Sequence, residues 1–232
     1  GKRRQVSSAL GDDEFGQVGG AHPGPYVEVS AGVYHTCART ALLGTLECWG
    51  DNSYGQSATT VGYLQVTAGA YHTCALFLST YTRGVDCQGD DGFGQVGGDS
   101  GRHFGAYSQI SAGYYHTCAL RTDGAIRCWG NNQHQQVGGD NGLHAGPYGP
   151  YTPYAGPSLP PLFSAGYDHS CALTPAGVVE CWGDSFYTGT VSGVYPGPYT
   201  RVSSGVVHAC AQTPEGAIHC WGVNDEGQGG NK

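Results

Sequence analysis

Short apolar stretches alternate with glycine-rich loops along the whole chain, and the pattern is clearest in AGYYHTCALRTDGAIRCWG, residues 112–130. Cys118 and Cys128 lie equally far from Asp123, so a three-residue loop centred on Asp123 would place them directly opposite each other on paired strands. Gly124 occupies the last position of that loop, where a left-handed backbone is required. The pattern therefore predicts an antiparallel β-hairpin.

This hairpin carries apolar side chains on both of its faces. In the predicted register Leu120 faces Ile126 on the side of the cysteines, and Trp129 lies opposite Thr117 on the other side. Apolar residues on both faces indicate a sheet that is covered on both sides, as neighbouring blades of a β-propeller cover one another.

The motif is one of five copies along the chain. The copies are AGVYHTCA (31–38), AGAYHTCA (68–75), AGYYHTCA (112–119), AGYDHSCA (165–172) and SGVVHACA (204–211). Successive repeated histidines are 37, 44, 53 and 39 residues apart, so the copies differ by loop insertion around a constant core. This variation is typical of repeat architectures.

We expect one propeller domain over residues 1–232. The predicted repeat units cover approximately residues 11–50, 51–89, 90–130, 131–183 and 184–222, with a half unit at 1–20 and a loop tail at 223–232.

Composition narrows the class of protein. Glycine accounts for 41 of 232 residues, charged residues for only 12%, and the formal net charge is −8. A chain with this balance and no basic stripe is not expected to bind nucleic acid. No apolar run approaches the roughly 18 residues of a membrane span. The chain begins with Gly and contains no Met, which we interpret as a mature, processed product.

The ten cysteines form a regular series with two in each unit. Directly opposed strand residues lie at a separation that a disulfide tolerates, and an even count with regular spacing indicates a disulfide framework. Such frameworks belong to oxidising, extracellular environments. The predicted pairs are Cys37 with Cys48, Cys74 with Cys87, Cys118 with Cys128, Cys171 with Cys181, and Cys210 with Cys220.

A zinc site is the alternative for the same residues. His116 and Cys118 share a face of their strand, and Cys128 would join them from the opposite strand. The chain has no CxxC sequence, however, and the repeat offers no fourth ligand. The missing CxxC also argues against a redox site. We therefore expect no metal and no cofactor.

The histidine of each repeat has a structural interpretation. An enzyme needs one general base, whereas a structural unit needs one copy per unit, so five copies favour a buried, hydrogen-bonded role. The repeated histidines are His35, His72, His116, His169 and His208. Side chains that break the periodicity remain candidates for catalysis, although no motif joins them and we predict no enzyme. They are His103, His134, His144, His219, Asp12, Asp13 and Glu14.

Copies of AGxxHTCAL…G…CWGxNxxGQ resemble the repeats of the regulator of chromosome condensation family, in the cysteine-containing form of secreted bacterial members. The resemblance extends from about residue 10 to residue 229. It implies a β-propeller of four-stranded blades, usually seven, whereas this chain holds about five and a half units. The expected fold is all-β, with five to six blades, some of them incomplete, and a hairpin disulfide in each.

The resemblance also implies functions. The founding eukaryotic member exchanges nucleotide on the small GTPase Ran, but its exchange residues map to no position here. A relative that inhibits β-lactamase implies that the scaffold can bind proteins.

The N-terminus begins halfway through a unit. Aligning residues 8–20 with residues 127–139 places Ala9 on Cys128, so the first strand of that unit is missing. Two arrangements stay open for this odd strand. It closes the ring against the last blade, or it adds to the open edge of a neighbouring chain by strand exchange through residues 1–20.

The expected function is a non-enzymatic extracellular scaffold: a structural or self-assembling surface protein, or a propeller that binds protein partners. The Pro/Gly/Tyr-rich segment 146–161 could supply a binding surface. The alternatives are a lectin-like or calcium-dependent ligand binder and, beyond those, a secreted enzyme or enzyme inhibitor that uses the propeller mouth. No run follows the calcium pattern D-x-D-x-D-G.

Overall fold

The computed structural model describes residues 13–18, 22, 24–78, 83–97, 101–138, 142–148, 162–183 and 192–223. Eighteen β-strands lie within these residues, arranged as five antiparallel sheets in chain order. The predicted all-β propeller with a disulfide in each blade is confirmed. The predicted unit boundaries stay a prediction.

Each sheet is a meander of three or four strands. The first contains β1 (Tyr26–Ala31), β2 (His35–Thr40) and β3 (Leu46–Gly50); the second β4 (Tyr63–Ala68), β5 (His72–Leu78), β6 (Arg83–Gly89) and β7 (Arg102–Phe104); the third β8 (Tyr107–Ala112), β9 (His116–Arg121), β10 (Ile126–Gly130) and β11 (Leu143–His144); the fourth β12 (Phe163–Ala165), β13 (His169–Leu173), β14 (Val179–Gly183) and β15 (Gly193–Tyr195); the fifth β16 (Arg201–Ser204), β17 (His208–Gln212) and β18 (Ile218–Gly222).

The hairpin register agrees with the prediction. In the third sheet Cys118 pairs with Cys128, and the same register places Leu120 opposite Ile126. Gly124 in the connecting loop has φ +87°, the left-handed region that the loop requires.

Five disulfides staple the second and third strands of the five sheets. They join Cys37 to Cys48, Cys74 to Cys87, Cys118 to Cys128, Cys171 to Cys181 and Cys210 to Cys220. Each bond joins two residues that face each other in the strand register. The two cysteines of a pair are 10 to 13 positions apart in the chain, so each bond closes a short loop. Such bonds persist in oxidising compartments.

Apolar side chains of successive sheets pack against each other and form the core between them. In the first joint, Cys37 and Leu46 of one blade share a cluster with Val66 and Ala75 of the next. Each blade therefore has two faces towards its neighbours: a leading face, which carries the disulfide, and a receiving face, which carries a large apolar residue of the first strand.

The ring is not closed within the described residues. Val29 holds the receiving position in the first blade and is 67% exposed, whereas the equivalent residues of the other four blades are at most 4% exposed. Ile218 holds the leading position in the fifth blade and is 58% exposed, against at most 1% for its equivalents. These end faces therefore lack the cover that a neighbouring blade provides at each of the four joints.

Several predictions concern residues outside the described ranges. The strand expected around Ala9, most of segment 146–161 and the tail after residue 223 all fall there. The part of the chain that is described contains no helix with the length and apolarity needed to cross a bilayer.

Candidate binding face

The repeated histidine lies at the joint between blades and reaches a hydroxyl group of the next blade. His35 Nε2 lies 2.6 Å from Thr73 Oγ1. The contact recurs at 2.9 Å in the next two joints, between His72 and Thr117 and between His116 and Ser170. Four of the five predicted structural histidines are buried, and His208 of the last blade is partly exposed.

The hydrogen-bond directions identify the protonated nitrogen. Thr73 Oγ1 donates its only proton to Gln56 O at 2.8 Å, so it accepts the proton of His35 Nε2. Burial lowers the pKa of His35 to about 4 and that of His72 to about 3. Both rings are therefore neutral at physiological pH, as donors in a buried network.

In each of these joints the backbone carbonyl of the loop glutamine accepts a second hydrogen bond, which in the third blade comes from the tryptophan of the CWG sequence. Trp129 Nε1 donates to Gln95 O at 2.9 Å, beside the bond from Thr117 Oγ1 at 3.0 Å. In the second blade, whose sequence is CQG, Gln88 Nε2 donates to Gln56 O at 3.3 Å. The substitution of glutamine for tryptophan thus preserves the hydrogen bond.

Residues 13–18 act as the loop of a preceding blade. Gln17 O accepts hydrogen bonds from Thr36 Oγ1 at 2.9 Å and from Trp49 Nε1 at 3.0 Å. Gln95 O accepts the same two kinds of hydrogen bond in the third blade. His22 stacks on Trp49 with ring centroids 3.8 Å apart. This described part of the predicted half unit therefore packs against the first blade.

The GQ loops present aromatic rings to solvent. In the loop after β3, Gln56 Nε2 donates to Asp51 Oδ2 at 3.0 Å, and Tyr54 N donates to Gln56 Oε1 at 2.9 Å. Gly55 has φ +79°, a conformation that an L side chain rarely adopts. Because glutamine and aspartate close the loop from inside, the ring of Tyr54 points outward and is exposed.

A second set of rings follows the first strand of each of the first four blades, in the turn before the repeated histidine. Gly32 begins the first of these turns, and a Cβ atom there would lie 2.3 Å from Gly69 O of the next blade. Glycine is therefore required for the close approach of the blades, and the turn then places Tyr34 beside its neighbours.

The two sets of rings form one cluster. Tyr34 stacks on Tyr71 at 4.8 Å between centroids, and the hydroxyls of Tyr34 and Tyr114 lie 3.4 Å apart. Phe15 and Phe93 extend the cluster outward, at 5.5 Å from Tyr34 and 4.9 Å from Tyr115. We call this surface the aromatic face; its rings are Phe15, Tyr34, Tyr54, Tyr71, Phe93, Tyr114, Tyr115 and Tyr167.

A cavity of about 250 Å³ adjoins the aromatic face. The glycine turns of all five blades line it, together with Tyr114 and Tyr167. Its walls are apolar and carry no charged side chain among these lining residues. The five blades therefore surround one shallow central depression at the end where the rings cluster.

The phenol groups of Tyr71 and Tyr114 are neutral, whereas the rim of the aromatic face is acidic. The hydrogen bond with Tyr34 raises the pKa of Tyr71 to about 12, and burial raises the pKa of Tyr114. Exposed carboxylates stand beside the exposed rings in the loops, namely Asp13, Glu14 and Asp91. No Lys or Arg occurs in the described parts of these loops, so the face has a negative potential.

Comparison with known proteins finds a family whose repeat resembles two stretches of this chain. The model of the regulator of chromosome condensation (RCC1) repeat matches residues 26–56 and 107–136. Prp20p from Saccharomyces cerevisiae has a similar structure, with a TM-score of 0.58, 18% identity, 85% coverage of this chain and 58% of Prp20p. The chain is an RCC1-like β-propeller. A comparison with curated protein sequences finds no match.

Two plant ectodomains share the fold of this RCC1-like chain. The CRINKLY WD40 ectodomain of the Arabidopsis thaliana receptor kinase ACR4 matches with a TM-score of 0.66 and 23% identity, covering 88% of this chain and 71% of that one. The ectodomain of the Physcomitrella patens receptor kinase CR4 matches with a TM-score of 0.60 and 24% identity, covering 85% and 50%. The RCC1-like chain thus spans only half of the second ectodomain and 58% of Prp20p.

Two histidines that were expected to break the periodicity recur at equivalent positions of the second and third blades, so that interpretation was wrong. His103 lies in β7 and stacks on Trp129, and His144 lies in β11 and stacks on Trp182, both at 4.0 Å. Each ring nitrogen Nε2 lies 2.9 Å from the carbonyl of the valine seven positions earlier. That shared offset from the QVGG sequence was a signal available in the sequence.

The remaining catalytic candidates do not converge. His134 Nε2 lies 4.0 Å from Asp168 Oδ2. His219 is in the fifth blade, where its Nδ1 lies 3.1 Å from the hydroxyl of Tyr199. Asp13 and Glu14 lie at the rim of the aromatic face, and Asp12 falls outside the described residues.

The zinc alternative is wrong for the repeat. Cys118 and Cys128 are bonded to each other, so neither offers a thiolate. Across the described ranges, no three His, Cys, Asp or Glu side chains are grouped to hold a metal ion.

The aromatic face itself was not predicted from the sequence. Its signal is the residue before the repeated histidine, which is Tyr in three copies, and the aromatic residue two positions before each of three GQ-loop glutamines. Neither pattern shows that the rings meet, because they belong to different blades.

Proposed function

We propose that this RCC1-like propeller is an extracellular, non-enzymatic protein-binding module. Its aromatic face would receive a polypeptide segment rich in arginine and proline. The observation that carries this proposal is the continuous cluster of eight rings on one face, rimmed by carboxylates. Clusters of exposed rings of this kind mark interaction surfaces.

The chemistry of the face favours this class of ligand. A guanidinium group can stack on a tyrosine ring and at the same time approach the carboxylates of the rim. Proline-rich segments dock on aromatic surfaces at low entropic cost because their extended conformation is already formed. An acidic segment would be repelled by Glu14 and Asp91.

Similar proteins support the proposal. The structure of Prp20p was described together with its binding to Gsp1p and histones, and ACR4 carries its propeller in a receptor ectodomain. The five disulfides support an extracellular location, because such bonds persist in oxidising compartments.

The test is calorimetric titration of the full chain with an alternating proline–arginine decapeptide and with its proline–glutamate counterpart. We expect saturable binding of the first peptide alone. Phe93→Ala should weaken that binding roughly tenfold, the loss of about one cation–π contact. Phe104→Ala is the matched control, because Phe104 is exposed in β7, outside the aromatic face.

Three outcomes would contradict the proposal. They are equal binding of both peptides, equal loss in the Phe93 and Phe104 variants, and saturable binding of cellohexaose with no peptide binding. The last result would support the lectin-like alternative instead.

A further inference from the structure

The aromatic face has a counterpart at the opposite end of the propeller. Pro25 stands just before β1, and Tyr34 stands just after it, so the six residues of β1 separate them by about 20 Å. The same separation holds in the third blade, where the hairpin glycine Gly124 and the ring of Tyr115 lie at opposite ends of β9. The two surfaces therefore face in opposite directions along the axis.

The opposite surface is built from Gly-Pro-Tyr corners beside hairpin turns. Tyr148 N donates to Gly124 O at 2.8 Å, and Tyr199 N donates to Gly177 O at 2.8 Å, so each corner is held against a hairpin loop. The proline rings stay exposed. We call this surface the proline face; its exposed prolines are Pro25, Pro147, Pro196 and Pro198.

Arginine is distributed unevenly between the two ends. Arg83 begins β6 and Arg201 begins β16, so both stand next to hairpin turns on the side of the proline face. Both are exposed and form no ion pair within the described residues. All other arginines of the described ranges also lie in strands, away from the loops of the aromatic face.

We infer that the aromatic face binds the proline face of a second copy of this chain. This rests on the proposed function, since it names the partner of the same site. Exposed prolines and unpaired arginines on one face match the rings and carboxylates on the other. Because the two surfaces are different and point in opposite directions, the contact is head-to-tail and leads to an open-ended stack of copies.

The test is analytical ultracentrifugation of the full chain with two face variants over a wide concentration range. Phe15→Ala/Phe93→Ala removes two rings of the aromatic face, and Arg83→Glu/Arg201→Glu reverses two charges of the proline face. The unmodified chain should form species larger than the monomer as concentration rises, and added salt should reduce them. Each variant alone should stay monomeric.

An equimolar mixture of the two variants should form a dimer and nothing larger, because only one intact pair of faces remains. Val29→Asp is the matched control: it charges the exposed lateral face of the first blade, and association should persist. Circular dichroism and the count of free thiols check that each variant is folded.

Some results would overturn the inference. An unmodified chain that stays monomeric, or variants that associate like the unmodified chain, would exclude stacking through these faces. Association lost only in Val29→Asp would assign it to the lateral blade faces. If the chain stays monomeric but still binds the proline–arginine peptide, the stack is wrong and the proposed function stands.

Discussion

Ala209 occupies the position opposite His169 at which the three preceding joints place a hydroxyl group. The strand register aligns Ala209 with Thr73 and Thr117, and β17 carries no hydroxyl side chain to face the His169 ring. Within the described residues, the joint between the fourth and fifth blades therefore lacks the histidine–hydroxyl contact that the other three joints share.

Restoring the hydroxyl should strengthen this joint. We expect Ala209→Ser to raise the free energy of unfolding by about 1 kcal/mol, because the new hydroxyl would give the His169 ring the hydrogen-bond partner that the other three joints provide. Urea unfolding followed by tryptophan fluorescence measures the change. An unchanged or lower midpoint would show that the serine oxygen is not placed to accept.

Removing a hydroxyl from an intact joint should have the opposite effect. Thr117→Val leaves His72 Nε2 without its partner and removes one of the two hydrogen bonds that Gln95 O accepts, and we expect a loss of about 1–3 kcal/mol in the free energy of unfolding. Thr200→Val is the control at an exposed position and should change stability by less than about 0.5 kcal/mol. Similar losses in both variants would contradict the role assigned to the joint.

Stability should fall as the pH drops from about 6.5 towards 4. Burial lowers the pKa of His35 and His169 to about 4, below the ordinary value of 6.5 in the unfolded chain. In this window the unfolded chain binds protons that the folded chain does not, so each such histidine lowers stability by up to about 1.4 kcal/mol per pH unit.

Urea midpoints at a series of pH values between 7 and about 4.5 test this dependence. The variant His35→Gln should show a shallower slope than the unmodified chain. A flat profile in the unmodified chain would mean that the buried rings are protonated in the fold.

The disulfide of the last blade should be reduced first. Cys210 and Cys220 are both partly exposed, whereas each of the other four disulfides includes one fully buried cysteine. Limited reduction of the folded protein, followed by alkylation and peptide mass spectrometry, should label this pair before any other. Earlier labelling of Cys118 and Cys128 would contradict the exposure of the fifth blade.

The same repeat position should have different energetic weight in the third and fifth blades. Ile126→Ala should cost about 2–5 kcal/mol because the side chain is fully buried between blades. Ile218→Ala should cost less than about 1 kcal/mol because Ile218 is exposed. Thermal unfolding of both variants measures the difference, and a large cost at Ile218 would indicate that the ring is closed over it.

Local patterns in the sequence predicted the blade and its disulfide because both depend on neighbouring residues. The equal spacing of Cys118 and Cys128 around Asp123 determined the strand register, and that register determined the bond. His103 and His144 were misjudged because their partners, Trp129 and Trp182, belong to the next blade in the chain.

By itself the sequence determined that this is an all-β, disulfide-stapled repeat protein, because hairpin geometry and repeat spacing act over short distances along the chain. Only the tertiary structure decided which side chains meet between blades. Tyr34 and Tyr114 are 80 residues apart, yet their hydroxyls lie within 3.4 Å. Such contacts depend on the angle at which whole sheets pack, and no local pattern encodes that angle. The aromatic face, the opposed proline face and the exposed ends at Val29 and Ile218 all belong to this second level of structure.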